Sequence, residues 1–316
     1  MVSEEKAADI RLIVPQSPSP ARRKRTAFGL HLLKIRPHCA RMPLIHLYRS
    51  SHGLVAQRDS AWFSLGNMTM DDLFQQEEPR EWLVRKLAEA AHCAPPSELL
   101  APIQSQEVWA AGVTYLRSRD ARIEESKDAG GGTFYDRVYD AERPELFLKA
   151  TPHRVFGTGA TLRLRRDSQW NVPEPELALA INTNGRIFGY TIGNDLSSRD
   201  IEGENPLYLP QAKVWSHCCG LGPALVVCQP LPAETPIQLT ILRAGATVFE
   251  GATALSQMKR TPEDLAEWLW RDNSFPAGCY LLTGTGLVPP NEFTLASGDE
   301  VRISIGSIGC LVNHIA

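Results

Sequence analysis

Two glutamates, Glu174 and Glu176, stand two residues apart in the stretch Val172–Asp200, VPEPELALAINTNGRIFGYTIGNDLSSRD. In an extended chain, residues i and i+2 point to the same side, so the two carboxylates lie next to each other. They adjoin the apolar run Leu177–Ile181 and so sit at the margin of a core. Burying like charges without a counter-charge costs several kcal/mol or a large pKa shift. A bound divalent cation removes that cost. Asp195 can add a third oxygen, because a hairpin returns the chain to the same end of the sheet. Ligands that are all oxygen favour Mg²⁺, Mn²⁺ or Ca²⁺ over zinc. The bland alternative is a pair of exposed glutamates on a solvated strand edge, and Glu-x-Glu alone does not decide between the two.

The elements that must position these groups are mostly strands. Leu146–Ala150, Ala160–Arg165, Glu176–Asn182, Gly185–Asn194, Pro223–Val227, Ile237–Arg243 and Val301–Ile305 are short, β-rich and bounded by Gly or Pro turns. Asn184-Gly185 is a hairpin signal between two of them. One helix interrupts the strands: Thr261 fits an N-cap, Pro262 the first helical position, and Glu263 and Asp264 the positive helix end. Leu265, Trp268 and Leu269 give it an apolar face. Upstream, Leu44–Leu65 reads as two or three strands broken at Ser51-His52-Gly53, and Glu81–Cys93 as an amphipathic helix closed by Pro95-Pro96. Glu107–Tyr115 is an apolar strand. The charged stretch Arg117–Glu142, with Gly130-Gly131-Gly132 in its middle, suits a surface loop or a lid.

Composition narrows the class. The chain has 316 residues, enough for one large domain and a small one. The expected division is a basic, flexible extension over 1–41, a small N-terminal α+β domain over 42–105, and a catalytic β domain over 106–316. Residues 1–41 carry a charge of about +6 and the remainder about −9. An acidic body argues against nucleic acid as a partner. The extension holds Arg22, Arg23, Lys24 and Arg25 but no secretory h-region, and Met42 is the expected beginning of the folded protein. No apolar run is long enough to span a membrane. Seven cysteines without C-x-x-C spacing fit idle thiols in a reducing cytoplasm.

The stretch from Tyr115 to the C-terminus resembles the fumarylacetoacetate hydrolase superfamily. The matching residues are Glu174-x-Glu176, then Asn194-Asp195-Leu196-Ser197-Ser198-Arg199-Asp200, then Gln211-Ala212-Lys213, with Leu146-Phe147-Leu148-Lys149 before them and a Thr283-Gly284-Thr285 turn after. The resemblance implies a mixed β roll or barrel-like sandwich, a divalent metal on Glu174, Glu176 and Asp195, and a homodimer or homotetramer.

Hydrolases of this superfamily carry a motif like G-x-N-Y-x-x-H with a Glu a few residues on, and that His–Glu dyad activates water. Here the chain reads Gly112-Val113-Thr114-Tyr115-Leu116-Arg117-Ser118-Arg119. Ser118 stands in place of the His and Ala121 in place of the Glu. A serine has no usable basicity near neutral pH, so the hydrolytic machinery looks absent. The strings AGVTY at 111–115, ERPELFLK at 142–149 and IEGENPLYLPQAK at 201–213 look like the sugar-acid dehydratase branch, which also lacks the dyad. That branch turns 2-keto-3-deoxy-pentonates into 2,5-dioxopentanoate with Mg²⁺. By this resemblance Lys213 acts near the cation, either as a base pushed towards its neutral form or as an electrostatic clamp. Glu145 is the candidate second acid/base. One or more of Arg117, Arg119 and Arg122 would bind the substrate carboxylate. Ser118 would line the substrate site, Glu204 would hold a sugar hydroxyl, and Thr285 and the Gly284 amide would donate to the keto acid. The competing enzyme reading is another 2-oxo-acid reaction on the same metal site: C–C hydrolysis, isomerisation or decarboxylation.

Overall fold

Strands whose residues are apolar on both faces must be covered on both faces. Four segments meet that demand, Pro175–Ile181, Ile187–Asp195, Cys219–Val227 and Cys279–Thr285, and they are neighbours in one sheet. The computed structural model describes residues 44–125 and 137–316. The expected extension over 1–41 and the Gly130–Gly132 lid lie outside the described residues.

In chain order the strands are β1 (Ile45–Ser50), β2 (Gly53–Arg58), β3 (Ala61–Ser64), β4 (Ala91–His92), β5 (Glu107–Gly112), β6 (Glu145–Ala150), β7 (Val155–Phe156), β8 (Thr161–Leu162) and β9 (Asn171–Val172). They continue as β10 (Pro175–Ile181), β11 (Ile187–Asp195), β12 (Ser197–Ser198), β13 (Cys219–Val227), β14 (Pro236–Arg243), β15 (Ala246–Ala254), β16 (Cys279–Thr285), β17 (Glu300–Ile305) and β18 (Gly309–Ile315). The helices used below are α1 (Met70–Phe74), α2 (Pro79–Glu89), α3 (Leu116–Glu125), α4 (Arg199–Glu204), α5 (Leu209–Lys213) and α6 (Pro262–Trp270).

The large sheet runs β4-β3-β2-β1-β13-β11-β10-β16-β5-β6, with β7 joined to β13. Most pairs are antiparallel, but β16 meets β5 in parallel, as β7 meets β13. A second sheet runs β15-β14-β17-β18-β8, and neither sheet closes on itself. The architecture is the expected mixed β sandwich of the fumarylacetoacetate hydrolase type. The N-terminal strands continue the large sheet directly: Ile45 of β1 pairs with Val227 of β13.

The two faces of the large sheet bury different partners. On one, Leu177, Leu179 and Ile181 of β10 pack with Ile237, Leu239, Ile241 and Ile303 of the second sheet. On the other, Ala178 and Ala180 pack with Phe74, Leu83 and Leu47 from the N-terminal region. The strand β14 alternates buried and exposed residues because only one of its faces is covered.

Local signals explain the connections. Asn184-Gly185 turns the β10–β11 hairpin with Gly185 at φ +77°, and the Trp270 ring packs against that glycine. Thr261 Oγ1 accepts from the Asp264 amide at 3.1 Å and starts α6 as expected. In contrast to the loop expected after residue 116, residues 116–125 form the helix α3. Ser118 Oγ accepts from the Tyr115 amide (3.2 Å) and donates to the Tyr115 carbonyl (2.8 Å), so a residue three positions in caps the helix start. The dense charge of this segment hid a helix that buries Ser118, Ala121 and Arg122 on one face.

Candidate active site

Antiparallel pairing brings the three carboxylates together. Glu174 immediately precedes β10 and Asp195 ends β11, and the Asp195 amide donates to the Glu174 carbonyl at 3.0 Å. Glu176 faces Gly193 on β11 and Thr285 on β16. The β10–β16 register shifts between Glu176–Thr285 and Ala178–Leu282; there Gly284 stands at φ +92°, and its amide donates to Glu176 Oε2 at 2.5 Å. A Cβ on Gly284 would fall 2.0 Å from Thr114 Oγ1, so only glycine fits. One oxygen from each of Glu174, Glu176 and Asp195 lies within 4.8 Å of the others, and all three residues are buried. The solvated strand edge allowed by Glu-x-Glu alone is therefore ruled out.

Four basic side chains surround this acid cluster. Lys213, at the end of α5, donates from Nζ to Glu174 Oε2 (2.7 Å) and to Ser197 Oγ (2.5 Å). Arg199 Nη2 donates to Glu174 Oε1 at 2.6 Å. Lys149 Nζ lies 2.6 Å from Asp195 Oδ1. Arg122 Nη1 lies 2.5 Å from Glu202 Oε1, and Glu202 is itself buried within 3.6 Å of Lys213 Nζ. Three of these cations are at most 1% exposed and Arg122 is 4% exposed. Counter-charge is thus built into the protein, which the sequence argument for a cation had not included.

The compensation is uneven. Burial opposes ionisation of Glu174, but Lys213, Arg199 and Arg122 outweigh it and hold its carboxyl down to about 2. Burial pushes Glu176 well above the ordinary carboxylate range, and the neighbouring Asp195 and Glu174 charges add to that. Lys213 and the Gly284 amide offset this only in part. Glu176 is the ligand that a divalent ion would relieve. Both Asp195 oxygens are buried without a hydrogen-bond partner, Oδ1 in an ion pair with Lys149. A hard cation is the partner that an all-oxygen set with these two features lacks, so the residues fit one.

Of the two roles the sequence left open for Lys213, the electrostatics oppose the neutral base and not the charged clamp. Burial works against its charge, but Asp195, Glu174 and Glu202 together raise its pKa above that of an ordinary lysine. These carboxylates keep it an ammonium and do not push it towards neutrality.

The remaining expected residues divide. Ser118, Gly284 and Thr285 line a narrow pocket beside the three carboxylates, with Arg122, Phe147 and Lys213. Their polar groups are already engaged: Gly284 on Glu176, Ser118 on the helix start, and Thr285 Oγ1 on the Leu287 carbonyl at 3.0 Å. Glu145 pairs with Gly112, which lines the pocket, and Glu145 Oε2 is buried without a hydrogen-bond partner. A Cβ on Gly112 would come 1.8 Å from that oxygen, so the glycine makes room for the carboxylate. Arg117 and Arg119 do not reach the pocket. Arg117 is exposed, and Arg119 pairs with exposed Asp120 and lies over the Tyr139 ring. Arg122 is the arginine that enters, because residues 118 and 122 share one face of α3. Glu204 is exposed at the end of α4, and Glu202 takes the buried position two residues earlier. The sequence reading missed Glu202, Arg199 and Lys149 as members of the cluster. The one available signal was that they fall inside the matched strings without an apolar role.

Comparison with known proteins agrees with this geometry. The family model described as "Fumarylacetoacetate (FAA) hydrolase C-terminal" matches residues 108–316. The chain is 48% identical over 216 residues to a protein of Haloferax volcanii named probable 2-keto-3-deoxyxylonate dehydratase, spanning 68% of this chain and 73% of that one. It is 44% identical over 217 residues to the 2-dehydro-3-deoxy-D-arabinonate dehydratase of Saccharolobus solfataricus, with the same 68% and 73% shares. Among solved structures, a 2-keto-3-deoxy-D-arabinonate dehydratase complexed with magnesium and 2,5-dioxopentanoate superposes with a TM-score of 0.73 at 33% identity. That match covers 86% of this chain and 98% of the other. With the family model matched over 108–316 and relatives 44% and 48% identical over about two-thirds of its length, the chain belongs to the fumarylacetoacetate hydrolase family.

Proposed function

We propose that the chain is a Mg²⁺-dependent hydro-lyase that converts a 2-keto-3-deoxy-pentonate into 2,5-dioxopentanoate and water. The carrying observation is the convergence of Glu174, Glu176 and Asp195, buried, in a pocket where no histidine is among the lining residues described. A His–Glu hydrolytic dyad has no counterpart at Ser118. The named relatives at 44% and 48% identity are dehydratases of this substrate class, and the magnesium complex is of the same kind.

Glu174, Glu176 and Asp195 would hold the ion, and Mn²⁺ or Ca²⁺ could take its place. When bound, Mg²⁺ supplies Lewis acidity that acidifies the C3 proton of a 2-oxo acid. Glu145, an unpartnered carboxylate oxygen against the pocket wall, takes that proton. The C4–O bond breaks, and the hydroxyl leaves as water with a proton from the Lys213 ammonium. Loss of a C5 proton and protonation at C3 then give the C4–C5 enol, whose O–H proton is lost as C4 gains one, leaving the C5 aldehyde. Arg122 holds the substrate's carboxylate or outer hydroxyls, with Glu202 fixing its guanidinium. Ser118 and Thr285 shape the pocket wall, and Gly284 orients Glu176. Arg117, Arg119 and Glu204 have no part in this scheme.

Within this reading the protein works in the cytoplasm as a homodimer or homotetramer. The six described cysteines are free, which suits a reducing compartment, and the family resemblance supports assembly. No helix among the described residues is long and apolar enough to cross a membrane. Mass spectrometry with Mg²⁺ and a panel of 2-keto-3-deoxy acids tests the reaction. Loss of one water from a five-carbon acid is expected. Two carbon fragments would instead identify a hydrolase, and bound but unaltered substrate a binding protein.

A further inference from the structure

Lys149 lies on β6, outside the pocket lining, yet its ammonium is completely buried. It sits 2.6 Å from Asp195 Oδ1 and donates to the Leu196 carbonyl (2.7 Å) and to the Lys213 carbonyl (2.6 Å). The two carbonyls accept two of the ammonium's three protons, and the contact with Asp195 is an ion pair. The Trp215 ring lies 5.0 Å from the same nitrogen. The three partners lie at two places in the fold. Asp195 ends β11 and Leu196 follows it, while Lys213, whose carbonyl is the third partner and whose side chain reaches Glu174, ends α5. One cation therefore joins the third metal ligand to the backbone that carries the pocket lysine.

We infer that Lys149 is a positioning residue for both halves of the site: it turns Asp195 so that Oδ2 stays available to the cation, and it fixes the end of α5 so that Lys213 points into the pocket. This rests on the metal-site reading above. Asp195 Oδ2 is already 3.6 Å from Lys213 Nζ. Without Lys149, the carboxylate has a second cation to turn to, and that turn removes it from the metal. The Lys213 carbonyl and the Leu196 carbonyl lose this donor as well.

The sign of the effect on metal affinity separates this role from simple electrostatics. Coulomb's law alone says that deleting a buried positive charge beside a cation site tightens cation binding. Loss of ligand orientation weakens it, and outer partners of ligating groups typically contribute about 10–100-fold. The test is Mn²⁺ binding to the full-length protein without substrate, read by the free-ion electron paramagnetic resonance signal. Lys149→Met should bind Mn²⁺ at least tenfold more weakly while its circular dichroism stays native. At saturating Mg²⁺, its kcat should still fall at least tenfold with KM changed less than threefold, because Lys213 is displaced as well. Unchanged or tighter Mn²⁺ binding by a folded Lys149→Met protein overturns the inference. If that variant does not fold, Lys149→Arg decides, since it keeps the charge but cannot place three donors in the same slot. It should also lose Mn²⁺ affinity and kcat, and wild-type values for both overturn the inference. The Mn²⁺ result does not depend on the substrate assignment. A wild-type protein that binds Mn²⁺ but dehydrates nothing counts against the dehydratase reading and leaves Lys149 to be judged by binding alone.

Discussion

The strand β10 runs from a charged wall into an apolar interior. At its start, Glu174 and Glu176 sit among four basic side chains. A few residues on, Leu177, Leu179 and Ile181 face Leu239, Ile241 and Ile303 with no polar neighbour needed. In the interior, each side chain contributes on its own by leaving water and filling space. In the charged wall no group stands alone. A buried ion is tolerable only while its partners remain, so single changes there disturb several residues at once. The apolar interior holds the fold and the charged wall holds the proposed chemistry, and the two should respond differently to perturbation.

The sharpest way to break that contrast is Glu176→Gln. Glutamine copies the shape of the neutral acid that burial already favours at this position, so the melting temperature should barely move. Turnover should fall about a thousandfold, a loss of about 4 kcal/mol in barrier terms. Steady-state kinetics beside a thermal melt checks both halves. The opposite result is expected in the interior. Leu239→Ala, on β14 and fully buried, should cost about 3 kcal/mol of stability. The folded fraction should keep its kcat, as denaturant titration and assay of the same samples would show.

A pH series sharpens the comparison further. Glu176 has its folded pKa raised by burial, then by Asp195 and Glu174. Its contribution to the metal-free fold is therefore complete below the unfolded carboxylate pKa and is lost as pH rises through the raised value. Glu202 is raised chiefly by burial and acts in the same direction. Glu174, held at about 2, shifts the other way and matters only in acid, below the usual carboxylate range. As pH rises from the ordinary carboxylate range to the raised Glu176 value, metal-free protein should thus lose stability, and added Mg²⁺ should restore it. Mg²⁺ affinity should fall by about tenfold for each pH unit below the raised Glu176 value, because a proton competes for that ligand. Calorimetric titration at several pH values measures this. The smallest effect is expected at Thr261→Ala, at the start of α6 and outside the pocket lining. Losing its bond from the Asp264 amide should cost about 1 kcal/mol and leave kinetics unchanged.

Much of the large sheet was legible in the sequence because its strands carry period-two or continuous apolar patterns. The β10–β11 hairpin and α6 announce themselves through Asn184-Gly185 and Thr261-Pro262. Strand β15 did not, since Ala246–Ala254 is an edge strand with mostly exposed or half-exposed small residues and no repeating apolar signal. Helix α3 was hidden by its charges. In the site, the acid triad could be read from residue type and spacing together with the family strings. Its counter-charges could not, because Lys149, Arg199 and Glu202 gain meaning only when β6, α4 and β11 meet. For the same reason Glu204 was read where Glu202 is the buried carboxylate, and the three arginines Arg117, Arg119 and Arg122 were left open where Arg122 is the one that lines the pocket. In a short helix, which of two neighbouring charges turns inward depends on packing that spacing does not encode.

The most direct measurement is a crystal grown with Mn²⁺, with data collected at the manganese absorption edge. The account predicts one anomalous peak in the pocket, about 2.2 Å from an oxygen of each of Glu174, Glu176 and Asp195. A peak elsewhere, or none at saturating Mn²⁺ with those oxygens turned apart, would contradict it.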